Sequence, residues 1–449
     1  MIEADFCDWE RQLSSANACS HPIRLRGRIT AIDLATGESA TAYTTDTEPG
    51  RVLHVACGNR RESACPACSA TYKRDARQLV RSGLAGGKGI PETIAEHPCV
   101  FATFTAPSFG PVHARRERGG KVLPCRPRRD ANTRRCPHGR DISCPTRHAE
   151  DDPRLGRPMC GDCYDYTAAV LFNAYAGDLW RRFTTYLPRH LARRLGITQK
   201  HLRELVRIRY VKVAEYQARG VVHFHAVIRL DAPGDGYQPA PDGIDADMLC
   251  DAIGQAAAAV RLAIADGTAA LTFGAPQGTD VRPIRRDDLA ATGKPLNYQA
   301  VANYIAKYAT KTLTAPGVPS QRLRHLAEVQ SLRCSAHYKQ MITTAWQLGG
   351  KHQTGEPRLR QWAHMLGYGG HFLTKSRRYS VTFGQLRAAR TEHRRQQNHP
   401  DGERDPWGRP LDDTVVLILK TWRYAGTGYS PASPGAELAI ESAVRARGH

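Results

Sequence analysis

No run of about 18 uncharged apolar residues occurs in this 449-residue chain, so no segment has the composition of a bilayer-spanning helix. The opening residues, Met-Ile-Glu-Ala-Asp-Phe-Cys, lack the basic segment and apolar stretch of a secretory leader. The sequence is therefore read as that of a cytoplasmic protein with no membrane partner. A phosphate-binding G-x-x-x-x-G-K-[ST] is also missing: Gly86-Gly87-Lys88-Gly89 and Gly349-Gly350-Lys351-His352 lack the hydroxyl and the strand, loop, helix context. That argues against an ATP-driven motor, and no internal repeat points to a solenoid. Acidic residues are in short supply, 43 Asp and Glu against 64 Lys and Arg, for a net charge of +21. Such a balance suits a polyanionic partner, nucleic acid first among them. With 41% hydrophobic residues the chain is globular rather than a basic tail.

What is present is cysteine, and its distribution is uneven. Ten of the thirteen fall before residue 161, which points to metal binding rather than scattered core thiols. Cys65-x-x-Cys68 with upstream Cys57 and Cys19 makes one four-thiolate candidate. Cys136, Cys144 and the knuckle Cys160-Gly-Asp-Cys163 make a second, with Cys125 and His138 as competing ligands because each sits close to Cys136. Two structural Zn²⁺ ions are expected. Cys7, Cys99, Cys250 and Cys334 suit free or buried thiols.

The organisation expected is α+β and multidomain. Residues 1–95 form a cysteine-containing module ending in a basic helix over Ser69–Gly83. Residues 96–313 carry a buried strand in the run Cys99–Pro107, stopped by the proline, an amphipathic helix over Tyr164–Tyr186, and alternating strands at Ile208–Tyr216 and Val221–Leu230 joined as a hairpin through Ala218-Arg219-Gly220. Within them, residues 113–163 lose periodicity. Ten Lys and Arg between Arg115 and Arg140 face only Glu117 and Asp130, so this insertion either grips duplex DNA by its phosphates or is merely solvated. Residues 314–449 read as a basic, helical and aromatic region with a flexible tail. There Tyr368, Phe372 and Tyr379 interleave with Lys375, Arg377 and Arg378, as a surface for stacking single strands would, or as local packing.

The sharpest chemistry is His223-Phe-His225. Residues two apart on a strand face the same way, so both imidazoles project together as a metal clamp, or else as a buried hydrogen-bonded pair. Glu215, on the preceding strand, lies across a tight turn, where its carboxylate supplies a hard oxygen ligand suited to Mg²⁺ or Mn²⁺. Downstream, Tyr304 and Tyr308 stand four apart on one helix face, each followed three residues later by a lysine, Lys307 and Lys311. A tyrosine pair at that spacing is often half-buried packing; the lysines favour a phosphate-facing surface.

In order along the chain, Phe101-Ala-Thr-Phe-Thr-Ala-Pro107, His223-Phe-His225 and Tyr304-Ile-Ala-Lys-Tyr308-Ala-Thr-Lys311 resemble the three motifs of the HUH single-strand endonucleases, specifically the rolling-circle replication initiators. The whole chain is similar to the initiators of actinobacterial plasmids and integrative conjugative elements. The resemblance implies a five-stranded antiparallel sheet with helices on one face. It also implies tyrosine attack on single-stranded origin DNA with Mg²⁺ or Mn²⁺ on His223, His225 and Glu215, a 5′-phosphotyrosine link, and a host helicase and polymerase. It favours Tyr308, in Lys307-Tyr-Ala-Thr-Lys311, as first nucleophile and Tyr304 as a second that resolves the product. An HUH relaxase or transposase, or a non-catalytic zinc-stabilised DNA-binding regulator, are the alternatives.

Overall fold

The computed structural model describes residues 2–127, 135–234, 236–264, 270–274, 278–284, 298–310, 318, 321–350, 358–398, 404–410 and 416–429. The chain divides into two compact units, residues 1–76 with 382–449, and residues 77–381.

The first unit joins the two ends of the chain. The strand Ile23–Asp33 pairs antiparallel with Ser39–Thr44, Leu53–Val55 and Val416–Thr427. A helix over Ile2–Ser15 buries Trp9 and Leu13. The strand at 416–427 departs from the helical region and flexible tail expected after residue 314. Its alternation is weak and its face largely exposed, so only the long-range partner identifies it as a strand.

The second unit is built on a five-stranded antiparallel sheet of β1 (Cys99–Phe104), β2 (Arg207–Tyr216), β3 (Val222–Asp231), β4 (Thr279–Pro283) and β5 (Leu373–Lys375), in the spatial order β4-β1-β3-β2-β5. Helices α1 (Tyr166–Arg194) and α2 (Ala246–Ala259) cover one face. There Phe104 and Phe224 pack on Trp180, and Phe104 on Phe183, because alternate residues of β1 and β3 are apolar and fully buried. Asp165 caps α1 by accepting from the Ala168 backbone N–H. The opposite face is not bare: α3 (Tyr298–Thr310) packs along β2. Helices on both faces correct the one-sided arrangement expected.

The region after residue 314 is not a separate body. β5 pairs with β2, and α4 (Ala336–Leu348) packs on α1. Tyr368, Phe372 and Tyr379 are 2%, 5% and 0% exposed, so they belong to the core and offer no stacking surface. Lys375 Nζ donates to the carbonyls of Arg377 and Ser380 and so serves its own turn.

Candidate metal centre and tyrosine site

β2 and β3 meet in a turn that fixes the register of everything at the site. Gln217 and Val221 pair across it, and Gly220 sits at φ +73°, a left-handed conformation that suits glycine. Asn173 of α1, wholly buried, clamps the turn: its Nδ2 donates to the carbonyls of Gly220 and Leu366, and its Oδ1 accepts from the Val222 N–H. With this register Glu215 stands directly opposite His223, and His225 directly opposite Thr103 of β1.

Three side chains therefore converge on one face of the sheet. Glu215 Oε2 lies 2.9 Å from His223 Nε2 and 3.3 Å from His225 Nε2, and the two Nε2 atoms are 3.2 Å apart. A cation with six ligands at ~2.1 Å has neighbouring donors about 3.0 Å apart, so this donor set fits one triangular face of an octahedron. One carboxylate oxygen and two imidazole nitrogens form a mixed donor set with which a divalent cation could be held. Thr103 Oγ1 is 3.0 Å from His225 Nδ1. With Nδ1–H donating to that hydroxyl, the Nε2 lone pair is left for the centre. Phe101, two residues along β1, stacks on the His225 ring at 5.7 Å.

α3 brings a phenol to the same place. Tyr304 OH is 3.1 Å from His225 Nε2, and its ring meets Phe101 edge-on at 5.7 Å. Lys307 lies on α3 with its side chain exposed. The side chain of Tyr308 and the whole of Lys311 lie outside the described residues. Thr103 and Asn173 escaped sequence reasoning; only the positions opposite His225 and beside the hairpin turn would have marked them.

The cysteines gather into three further groups. Cys19, Cys57, Cys65 and Cys68 bring their sulfurs within 4.8 Å of one another, with Cys19–Cys65 at 3.6 Å and Cys57–Cys68 at 3.7 Å. Tetrahedral zinc with Zn–S bonds of ~2.3 Å has sulfur–sulfur edges of about 3.8 Å, so the spacing is that of a thiolate cage rather than of disulfides. The Cys57 N–H points at the Cys19 sulfur, 3.3 Å away. Burial pushes the Cys65 thiol up, but N–H groups of Cys68 and Ser20 and the neighbouring thiols outweigh it and bring it down to about 6.

The second expected set, Cys136, Cys144, Cys160 and Cys163, does not converge. Cys144 lies instead with His113, Cys125 and His148, while His138 completes the group of Cys136, Cys160 and Cys163. His138 Nδ1 is 3.2 Å from Cys163 Sγ and 3.8 Å from Cys160 Sγ. Each group has the donor chemistry to hold zinc, which makes three sets of four among the described residues rather than two. His113 and His148 carried no knuckle spacing to mark them.

The Glu-His-His triad on the sheet thus faces a tyrosine of α3, in a strongly basic chain that also carries cysteine and histidine cages. Residues 5–443 match the RepSA family, described as replication initiator protein, pSAM2. The chain belongs to that family. It is also 43% identical over 436 residues to a replication initiator protein of Streptomyces ambofaciens, covering 95% of this chain and 88% of that one. No solved structure matches. Among the described residues no helix is long and apolar enough to cross a membrane.

Proposed function

We propose that this initiator starts rolling-circle replication by nicking and rejoining single-stranded origin DNA, with an HUH-type centre at Glu215, His223 and His225. The observation that carries the reading is the 3.1 Å approach of the Tyr304 hydroxyl to His225, which puts a nucleophile beside the three converging donors. A tyrosine oxygen attacks the scissile phosphorus, the bond to the 3′ oxygen breaks, and that oxygen leaves with a proton as a 3′-OH able to prime synthesis. The 5′ phosphate stays on the tyrosine. A divalent cation held by the triad would supply charge to offset the extra negative charge on the phosphate in the transition state.

An unperturbed phenol ionises near pH ~10, so the hydroxyl needs a partner that favours loss of its proton. The Tyr304 hydroxyl lies at the donor set itself, where a cation held by Glu215, His223 and His225 would favour loss of its proton, and on that ground we assign it the first attack, in place of the Tyr308 that the family resemblance favours. Tyr308, one turn further along α3, is then the second acceptor that closes the product strand by the reverse chemistry. Lys307 and Lys311 are assigned the role of countering the charge of the DNA phosphates. The basic insertion holds flanking duplex, and unwinding and synthesis fall to the host helicase and polymerase.

The test is incubation of the purified protein with labelled single-stranded origin DNA and Mn²⁺. A covalent adduct is expected, absent without the metal and absent when Tyr304 and Tyr308 are both changed to Phe. A full adduct from the double variant refutes the mechanism. Binding without any adduct from the wild type identifies a non-catalytic regulator.

A further inference from the structure

The ligands of the two histidine-containing cages alternate along the chain. His113 and Cys125 belong to one, Cys136 and His138 to the other, Cys144 and His148 to the first again, and Cys160 and Cys163 to the second. We propose that the described residues between His113 and Cys163 form a cross-braced two-zinc module, in which the unforeseen site at His113, Cys125, Cys144 and His148 braces the turn between β2 and β3.

Four observations independent of the cysteine spacing support a metal at the first cage. Its donor atoms all lie within 4.8 Å of one another. His148 Nε2 stands 3.6 Å from Cys144 Sγ, and a tetrahedral site with Zn–S near ~2.3 Å and Zn–N near ~2.05 Å has a mixed edge of about 3.6 Å. His148 Nδ1 lies 2.7 Å from Asp152 Oδ2, itself paired with Arg154. That carboxylate fixes the imidazole with Nε2 turned to the cage, as carboxylate partners of zinc-bound histidines do. Finally, the Ala114 N–H points at Cys125 Sγ from 3.2 Å, and His113 Nδ1 is buried without a hydrogen-bond partner. Cys125, Cys144 and His148 are 2%, 5% and 1% exposed in a segment with little apolar core.

The cage is tied to the turn through its first ligand. The backbone of His113 pairs with Arg157 and Gly156. Gly156, at φ +80°, sits so close to the turn that a Cβ there would fall 2.1 Å from the Ala218 carbonyl. Arg219 donates from the same turn to the carbonyls of Ala106 and Pro107, a few residues before His113. A zinc that holds His113 to Cys144 and His148 therefore holds the strap that presses on residues 218–219. The interleaving also makes each site close a loop that contains ligands of the other, so loss of one loosens both.

Metal analysis of the full chain, after loosely bound ions are stripped, should find three zincs. Cadmium-113 spectra of the exchanged protein should show three resonances, one each for four sulfurs, three sulfurs with one nitrogen, and two with two. Cys125→Ser should lose one zinc and release that of Cys136, His138, Cys160 and Cys163 faster to a chelator. Its amides at 217–221 should exchange faster with deuterium while those at 224–229 keep their protection. Cys125→His, which retains a ligand, should keep three zincs and the wild-type exchange, and decides the matter if the serine variant does not fold. Two zincs in the wild type, or no loss in Cys125→Ser, overturns the site; unchanged exchange at 217–221 overturns the brace.

Discussion

Replacing Thr103 by Val removes one oxygen from behind the candidate centre and little else. Valine keeps the branched shape that β1 requires, so the strand and its pairing with β3 should stand. The lost contact is the 3.0 Å approach of Thr103 Oγ1 to His225 Nδ1. Without it the ring is free to place its proton on Nε2, the atom that faces Glu215 and His223. Loss of such an outer partner weakens metal binding by ~10–100-fold, equivalent to about 1.4–2.7 kcal/mol. Titration of the metal-free protein with Mn²⁺, followed by paramagnetic resonance of the free ion, reads that change directly. Thermal unfolding of the metal-free variant should stay within about 1 kcal/mol of wild type, since the pair is partly solvent-accessible. Unchanged Mn²⁺ affinity alongside an unchanged fold would refute the orienting role assigned to Thr103.

Glu215→Gln preserves shape while removing the charge, and should abolish detectable Mn²⁺ binding at micromolar metal with the sheet intact by circular dichroism. Cys65→Ser should cost one zinc and expose residues 54–68 to limited proteolysis, leaving peptides of 77–381 protected. Lys212 is 4% exposed on β2, with Nζ 3.9 Å above the Phe224 ring, and burial holds its ammonium down to about 7 from an ordinary 10.5. Unfolding therefore takes up a proton between those values, and stability rises with pH across that window. Lys212→Met should remove this rise and stabilise the protein near neutral pH by roughly 1–3 kcal/mol, as measured by denaturant titrations at pH 7 and pH 9.

The hairpin was legible because its strands alternate cleanly and its turn carries Gly220, and the turn alone puts Glu215 opposite His223. The helix bearing Tyr304 was legible from apolar spacing. Which face of the sheet it covers was not, because that depends on its packing along β2, a contact with a strand about 90 residues earlier that no local pattern announces. The cysteine partition failed for a different reason. Spacing identifies knuckles such as Cys160-x-x-Cys163, but an interleaved pair of cages sends neighbours in sequence to different sites, and only convergence in space sorts Cys144 from Cys136. Tyr368, Phe372 and Tyr379 look like a binding surface in a basic stretch. Their burial follows from β5 joining the central sheet, a pairing more than 150 residues distant in sequence that no local pattern announces. The strand at 416–427 is hidden in the same way, since its partner lies at the other end of the chain.

On the proposed mechanism a tyrosine of α3 becomes covalently joined to DNA at the Glu215, His223 and His225 centre. Digestion of the protein after reaction with single-stranded origin DNA and Mn²⁺, followed by mass spectrometry of the nucleotide-linked peptide, tests it most directly. The linked residue should be Tyr304, moving to Tyr308 only in Tyr304→Phe. A nucleotide linked outside residues 298–310, or no linked peptide at all from an active initiator, would contradict it.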